Sequence, residues 1–293
     1  MKNKFDLSVV IAGIRPQNWK AVYNSLLFSC KNYTFELIFV GPFKPPRGLI
    51  KDDTIKFIQD FGAVSRASQI GADAASGKLV FFTTDDVIFI RDAIDTVITS
   101  YYKTYSKYDI IGMRFRELDP SRINFTKPKK INLKDYPEYL AKMADDCLVN
   151  NAAPFKNEPY SPDYWFFQGI PIACQILMDL KTFKDLGGWD CSFDYLVAPA
   201  ADLGMRIGNL GGNVIQSITE VSLAAYWPGE SFDHKPVHDS CVEDTQLFEK
   251  TRHRNVSRTH IDFNNWEQSP EVWVKRFPEG KVYEYKQMME KIK

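Results

Sequence analysis

Leu79-Val80-Phe81-Phe82-Thr83-Thr84-Asp85-Asp86-Val87 is an apolar run that ends on two adjacent carboxylates. A short continuous apolar stretch bounded by an acidic turn fits a strand buried on both faces, as in a parallel sheet. Oxygen-ligand metals need ionised carboxylates and open positions for phosphate oxygens. A strand that delivers paired acids to its carboxyl end therefore suits a divalent cation. The plainer reading of the same pair is a strand-to-turn cap, because Asp favours turns.

The surroundings of this stretch repeat one pattern. Leu7 to Gly13 is a β-branched run stopped by glycine and then Pro16, and Asn18 to Ser29 follows with Trp19, Val22, Leu26 and Leu27 at helical spacing. Phe35 to Pro42 is a second strand with a breaker, Pro42 to Pro46 a loop, and Ile55 to Phe57 a short third strand. Ser65 to Ala75 is an Ala-rich helix that Ser76-Gly77-Lys78 stops ahead of the opening stretch. A helix over Asp92 to Tyr105 and a strand over Asp109 to Phe115 continue the series. Alternating apolar strands and helices predict a parallel α/β sheet covered on both faces. Ligands of such sheets collect beyond the carboxyl ends of the strands, which puts Gly13, Gly41 and Asp85-Asp86 on one rim.

Beyond Arg116 the pattern weakens. Arg116 to Tyr164 mixes basic residues and prolines with an amphipathic stretch near Tyr136 to Met143, consistent with a lid or insertion. Phe183 to Asp190 and Asp202 to Leu210 are expected helices, ending at Gly187-Gly188 and Gly211-Gly212 with glycine C-caps. Asp202 has the position of an N-cap for the second. Val214 to Ile218 and Val221 to Tyr226 supply late strands, and an aromatic, basic tail begins at Thr251.

Bulk properties narrow the class. The 293 residues are 44% hydrophobic and 25% charged, which favours an ordinary folded enzyme or binding domain over disorder or a fibrous repeat. Lys plus Arg and Asp plus Glu both total 37, so no global charge draws the chain to nucleic acid; a local basic patch is not excluded. Cys30, Cys147, Cys174, Cys191 and Cys241 are odd in number and scattered, which suggests free thiols in a reducing compartment. No signal peptide or membrane span is evident, so a cytoplasmic location is expected.

Taken in order, the motifs resemble the family 2 glycosyltransferases of the GT-A fold. The anchors are Ser8-Val9-Val10-Ile11 with Arg15-Pro16; the Phe35 to Val40 strand; Arg66 through Gly71, Ala75-Ser76-Gly77 and Thr84-Asp85-Asp86; and Leu186-Gly187-Gly188-Trp189-Asp190 followed by Asp202-Leu203 and Arg206. The resemblance covers roughly residues 6 to 245. It implies a GT-A, Rossmann-like fold with a mixed, mainly parallel sheet flanked by helices. Residues 1–250 would form the transferase domain, 1–115 its nucleotide-sugar half and 116–250 its acceptor half, with 251–293 a C-terminal extension.

The implied activity is hexosyl or pentosyl transfer from a nucleotide diphosphate sugar, a UDP-sugar favoured, by metal-dependent, inverting displacement. Ala12, Gly13, Arg15, Gly41, Arg66 and Asp85 would contact the donor, Asp85 at the ribose. Asp86 would hold Mn²⁺ or Mg²⁺, with His234, in preference to His238, as a further ligand; imidazole suits Mn²⁺ better. The acid usual for holding uracil is missing at Gly41-Pro42, leaving Asp60 or backbone groups to replace it. Trp189 and Asp190 would meet the acceptor, which is glycan, lipid-linked, protein or nucleic acid. The usual catalytic acids align with Pro199-Ala200, so Asp202 is the expected base, with Asp190 and Asp194 behind it.

Each residue also has a plainer reading: Arg66 a solvated arginine, Trp189 core filler, Asp202 a helix cap, His234 a surface residue. Two other functions stay open. A nucleotidyltransferase shares the strand-helix start but normally has a Gly-rich loop with a Lys, absent from Gly13-Ile14-Arg15-Pro16. A degenerate GT-A domain would bind nucleotide or glycan without turnover. The tail, with Arg252, Arg254, Arg258, Trp266, Trp273, Lys275 and Arg276, is expected to pack on the domain, form a homodimer contact, or meet a nucleic-acid acceptor.

Overall fold

Six of eight strands in the main sheet run the same way, and the order of the first four places a crossover beside the acid pair. The computed structural model describes residues 4–50, 54–60, 62–118, 138–139, 142, 165–225, 242–251 and 257–261. The elements are β1 (Phe5–Ala12), α1 (Trp19–Ser29), β2 (Phe35–Gly41), β3 (Ile55–Gln59), α2 (Val64–Asp73), β4 (Gly77–Thr83), β5 (Val87–Phe89) and α3 (Ala93–Thr104). They continue with β6 (Ile110–Leu118), β7 (Trp165–Phe167), β8 (Ile170–Ile172), β9 (Ile176–Asp179), α4 (Leu180–Asp185), α5 (Val197–Asn209) and β10 (Val214–Ala225). A last helix, α6, spans 242–251.

The sheet order is β3-β2-β1-β4-β9-β6-β10-β5, with β7 and β8 in a separate hairpin. β9 and β5 are the antiparallel members. This is the mixed, mainly parallel α/β sheet expected. It runs unbroken through both expected halves of the domain, since β9 and β10 complete a sheet begun by β1 to β6.

Alternation along the strands sorts the core into two layers. Leu7, Val9 and Ile11 of β1 face the layer that holds Trp19, Val22 and Leu26 of α1 and Ile94, Val97 and Ile98 of α3. Val10, Ile38, Val80 and Phe82 point the other way, into a layer with Ala67 and Ala72 of α2, Phe183 of α4, and Ala198, Leu203 and Ile207 of α5. Gly71 of α2 lies against Val10 so closely that a Cβ there would collide with the valine side chain.

Both expected glycine caps are present. Gly187 and Gly211 have φ of +88° and +78°, and Gly188 and Gly212 donate back to the Phe183 and Ile207 carbonyls at 2.9 and 3.0 Å. That is the Schellman arrangement, which closes the last helical turn.

Several boundaries differ from expectation. α5 begins at Val197, so Asp202 lies inside the helix and not at its N-cap. Pro199 is tolerated because it falls in the first turn, where no intrahelical donor is needed. The expected Phe183 to Asp190 helix is displaced towards the amino end, over Leu180–Asp185, because Asp179 caps it by accepting from Thr182 N at 2.7 Å. The two late strands are one, β10, with shifts of register between Gln216 and Ser222. The stretch near Tyr136 to Met143 (apart from 138–139 and 142), the His234 and His238 loop, and most of the tail lie outside the described residues.

Candidate active site

β1 connects outward to β2, while β4 lies on its other side, so the loops after β1 and β4 diverge at a topological switch point. Such a point opens a crevice at the carboxyl ends of the strands. Asp85 bridges it. Its carboxylate accepts from Ile14 N at 2.7 Å, Arg15 N at 2.5 Å, the Arg15 guanidinium at 2.7 Å and Trp19 Nε1 at 3.2 Å. Three of these donors converge on Oδ2, and the Arg15 guanidinium takes Oδ1. At 1% exposure Asp85 is closed to a ribose. The expected donor contact is therefore corrected: Asp85 fixes the β1–α1 loop that borders the crevice.

Asp86 is different. Its side chain is 13% exposed and stands 3.5 Å from the Arg15 guanidinium. Arg15 is thus buried between two acids instead of projecting toward a donor, and among the described residues two carboxylates share this one guanidinium. Among the described residues no three His, Cys, Asp or Glu side chains gather as a metal cage. Mg²⁺ and similar ions often need only one or two carboxylates plus substrate phosphates. Asp86 fits such a single-carboxylate site and Asp85 does not; His234 lies outside the described residues.

The neighbouring loops approach through backbone. Gly13 N donates to Val40 O at 2.9 Å, and a Cβ on Gly41 would collide with the Gly13 carbonyl oxygen. A Cβ on Gly13 would in turn press on the Trp19 ring. Trp19 itself is stacked on Phe39 with centroids 4.2 Å apart. A base-reading carboxylate at position 41 has no room. Asp60, whose amide donates to Gly41 O at 3.2 Å, is the adjacent acid. Arg66 binds it with Nε and Nη2 at 3.2 and 3.1 Å, so Arg66 is no freely solvated arginine. Asn18, buried at the foot of the loop, has an Nδ2 with no partner among the described residues.

The second group of expected residues comes together at the turn after α4. Trp189 faces inward: its ring lies 5.0 Å from Phe82 and 5.7 Å from Phe183, and its amide donates to Gln69 Oε1 at 2.8 Å. This corrects the expected sugar-stacking role, because the Schellman turn at Gly187-Gly188 sends the chain back into the core. Ala12, at the end of β1, packs against the same layer.

Asp202 is likewise corrected as the base. It has 0% exposure and accepts from Arg206 Nε and Nη2 at 2.9 and 2.8 Å and from the Arg258 guanidinium. With no exposed edge and both oxygens held by guanidiniums, Asp202 offers an acceptor hydroxyl no approach. Arg206, also sealed, donates from Nη1 to the Leu186 carbonyl at 2.8 Å and from Nη2 to the Gly188 carbonyl at 2.6 Å.

Asp190 keeps an 18% exposed side chain. Ser192 donates to it from Oγ and N at 2.6 and 3.1 Å, and Arg258 Nη2 at 2.7 Å. Burial raises its pKa, but these bonds and the Arg258 charge outweigh burial and hold the carboxyl below its usual range. Asp194 is buried, and its amide donates to Asp244 of α6 at 3.0 Å. Arg258 had no local signature as a site residue, because its partners lie 56 and 68 positions away.

No described helix is long and apolar enough to cross a membrane. No family model matches the sequence, and no curated protein matches it. Among solved structures, a UDP complex of residues 1–349 of S. aureus TarS is 11% identical with a TM-score of 0.47, over 87% of this chain and 70% of that one. A second structure, of S. aureus TarS, is 11% identical with a TM-score of 0.48, over 95% of this chain and 50% of that one, so the chain spans half its length. Likeness of this degree assigns neither a family nor a substrate.

Proposed function

We propose that the chain is a glycosyltransferase that moves a sugar from a nucleotide diphosphate donor, a UDP-sugar favoured, to an acceptor hydroxyl by inverting displacement. The observation that carries this reading is the acid pair at the β1/β4 switch point, where Asp85 is spent on the loop and Asp86 remains with an open edge. The other ordered motifs that resemble family 2 glycosyltransferases, from Arg15-Pro16 to Leu186-Gly187-Gly188-Trp189-Asp190, support it as well.

In this reading the donor diphosphate lies along the carboxyl rim. Mn²⁺ or Mg²⁺ held there by Asp86, with His234 proposed as a second ligand, would supply charge neutralisation for the leaving diphosphate. The chain's own residues supply order. Arg15 and Asp85 fix the loop from Gly13 to Asn18, and the Asp60–Arg66 pair fixes the approach beside Gly41. On the acceptor side, Asp190 presents the ionised carboxylate edge that can accept a hydrogen bond from the incoming hydroxyl.

A second reading, a domain that binds nucleotide or glycan without turnover, is favoured by one observation. Pro199 and Ala200 sit buried in α5 at the positions that align with the usual catalytic acids, and Asp202 beside them is sealed. A thermal-shift series of nucleoside diphosphates and their sugars with Mn²⁺, followed by turnover of the stabilising donor, separates the two. Ligand that binds only the folded chain raises apparent stability by mass action. Stabilisation by UDP-sugars with release of UDP is expected. Stabilisation without release selects the binding domain, and a flat response to every nucleotide would sink the transferase and the nucleotide-binding domain alike.

A further inference from the structure

We propose that Arg258 is a positioning residue for Asp190, and that residues 257–261 form a strap that makes part of the C-terminal extension integral to the acceptor side. The proposal rests on the glycosyltransferase reading for the words "acceptor side". The contact itself stands on geometry alone.

The strap is bound along its length to the turn that carries Asp190. Ile261 N donates to Leu186 O at 3.1 Å, His260 Nδ1 lies 2.8 Å from Asp185 O, and Asn209 Nδ2 of α5 donates to Arg258 O at 2.8 Å. Its backbone comes so near Gly187 that a Cβ there would collide with the Ile261 carbonyl oxygen. The fit and the positive φ both demand glycine at 187.

Within this fit the charges alternate. Asp190, Arg258, Asp202 and Arg206 form a chain of acid, base, acid, base, and Arg206 closes it on the Leu186 and Gly188 carbonyls just before Asp190. The inner pair is sealed, whereas Arg258 and Asp190 retain 26% and 18% exposure. Among the described residues, the groups facing Asp190 are Ser192 from its own turn and Arg258 from the strap, with Asp202 and Arg206 of α5 behind the arginine. Ser192 holds one oxygen and Arg258 the other, which fixes the carboxylate in plane. A two-point hold of this kind orients a group that must meet a substrate.

The test uses the full chain labelled with ¹³C at aspartate carboxyls, as wild type, Arg258→Ala and Arg258→Lys, with Asp190→Asn to assign the signal. In Arg258→Ala, Asp190 is expected to take up its proton about one pH unit higher, and Arg258→Lys to recover most of the difference. Calorimetric UDP binding with Mn²⁺ should stay within about twofold, because Arg258 pairs with Asp190 and Asp202 and not with Asp85, Asp86 or Arg15 of the rim. With UDP-glucose as donor and a panel of mono- and disaccharides, the acceptor KM should rise about tenfold or more in Arg258→Ala, as for a lost charged hydrogen bond.

An Asp190 titration indifferent to residue 258 overturns the proposal. So does a variant that merely melts earlier with its acceptor KM intact, or one that loses UDP binding in step with acceptor binding. Failure of the wild type to bind UDP would refute the glycosyltransferase reading instead, and the carboxyl titration would still decide whether Arg258 governs Asp190.

Discussion

Asp85 and Asp202 invite comparison. Each is a sealed carboxylate, each is gripped by an arginine remote in sequence, and each has that arginine shared with a second acid that keeps an exposed edge: Arg15 with Asp86, Arg258 with Asp190. They differ in charge balance. At the rim, two acids share one guanidinium, whereas Arg206 gives the other cluster two guanidiniums for two acids. Among the described residues the rim pair is therefore short of positive charge and the other cluster is not. The same local chemistry therefore leaves an acid with an open edge in one place and a sealed, charge-balanced support in the other.

Removing the sealed member should hurt stability most where the charge left behind is most deeply buried. Asp202→Ala strands Arg206 and should cost about 3–5 kcal/mol in urea unfolding, the usual penalty for breaking a buried pair. A loss of under about 1 kcal/mol would mean that the cluster is wetter than its geometry indicates.

The exposed member of the rim should behave in the opposite way. Asp86→Ala is expected to change stability by under about 0.5 kcal/mol while lowering transfer about 100-fold, equivalent to about 2.7 kcal/mol of transition-state stabilisation. Unchanged turnover with Mn²⁺ would remove Asp86 from the cation site.

A smaller effect is expected at the strap. Gly187→Ala combines a disfavoured φ with a clash against Ile261, and should cost about 1–3 kcal/mol. It should also loosen Arg258, so proteolysis after the 242–251 helix should become faster in the variant than in wild type.

A pH dependence is expected near the same turn. Asp244 accepts from Asp194 N and Tyr195 N, and burial, with help from the Glu243 charge, pushes its pKa from 3.8 up to about 7. Below the unfolded value both states are protonated. Between there and about 7 the unfolded chain has released a proton that the folded chain keeps, so stability falls as pH rises across that window and levels off above it. Each unit of displacement is worth about 1.4 kcal/mol before water near the site reduces it. Asp244→Asn keeps an acceptor for both amides without a charge to bury, so its melting temperature should fall less than that of wild type between pH 5 and 8. Parallel profiles would show that Asp244 titrates as an ordinary carboxyl.

Much of the fold was legible in sequence because its signals are local. The β1, β2 and β4 runs, the helices between them and the glycine stops depend on periodicity and on φ preferences carried by a few neighbours. The site was legible in part for the same reason: a strand ending on Asp85-Asp86 reaches the rim wherever the sheet is built. The start of α5 was missed because Val197 to Ala201 carries no strong cap and includes Pro199, which reads as a breaker until it is seen in a first turn. β9 was missed because a four-residue strand between β4 and β6 is selected by its neighbours and not by its own pattern.

Sequence by itself determined that this chain builds a mainly parallel α/β sheet with two acids at a strand's carboxyl end, since burial and alternation act over a few residues. Only the tertiary structure decided which acids are open. Asp85 and Asp202 lost their availability to Arg15, Arg206 and Arg258, and two of those three arginines come from 56 to 70 positions away. A carboxylate's hydrogen-bond capacity is finite, and which donors exhaust it is fixed by folding.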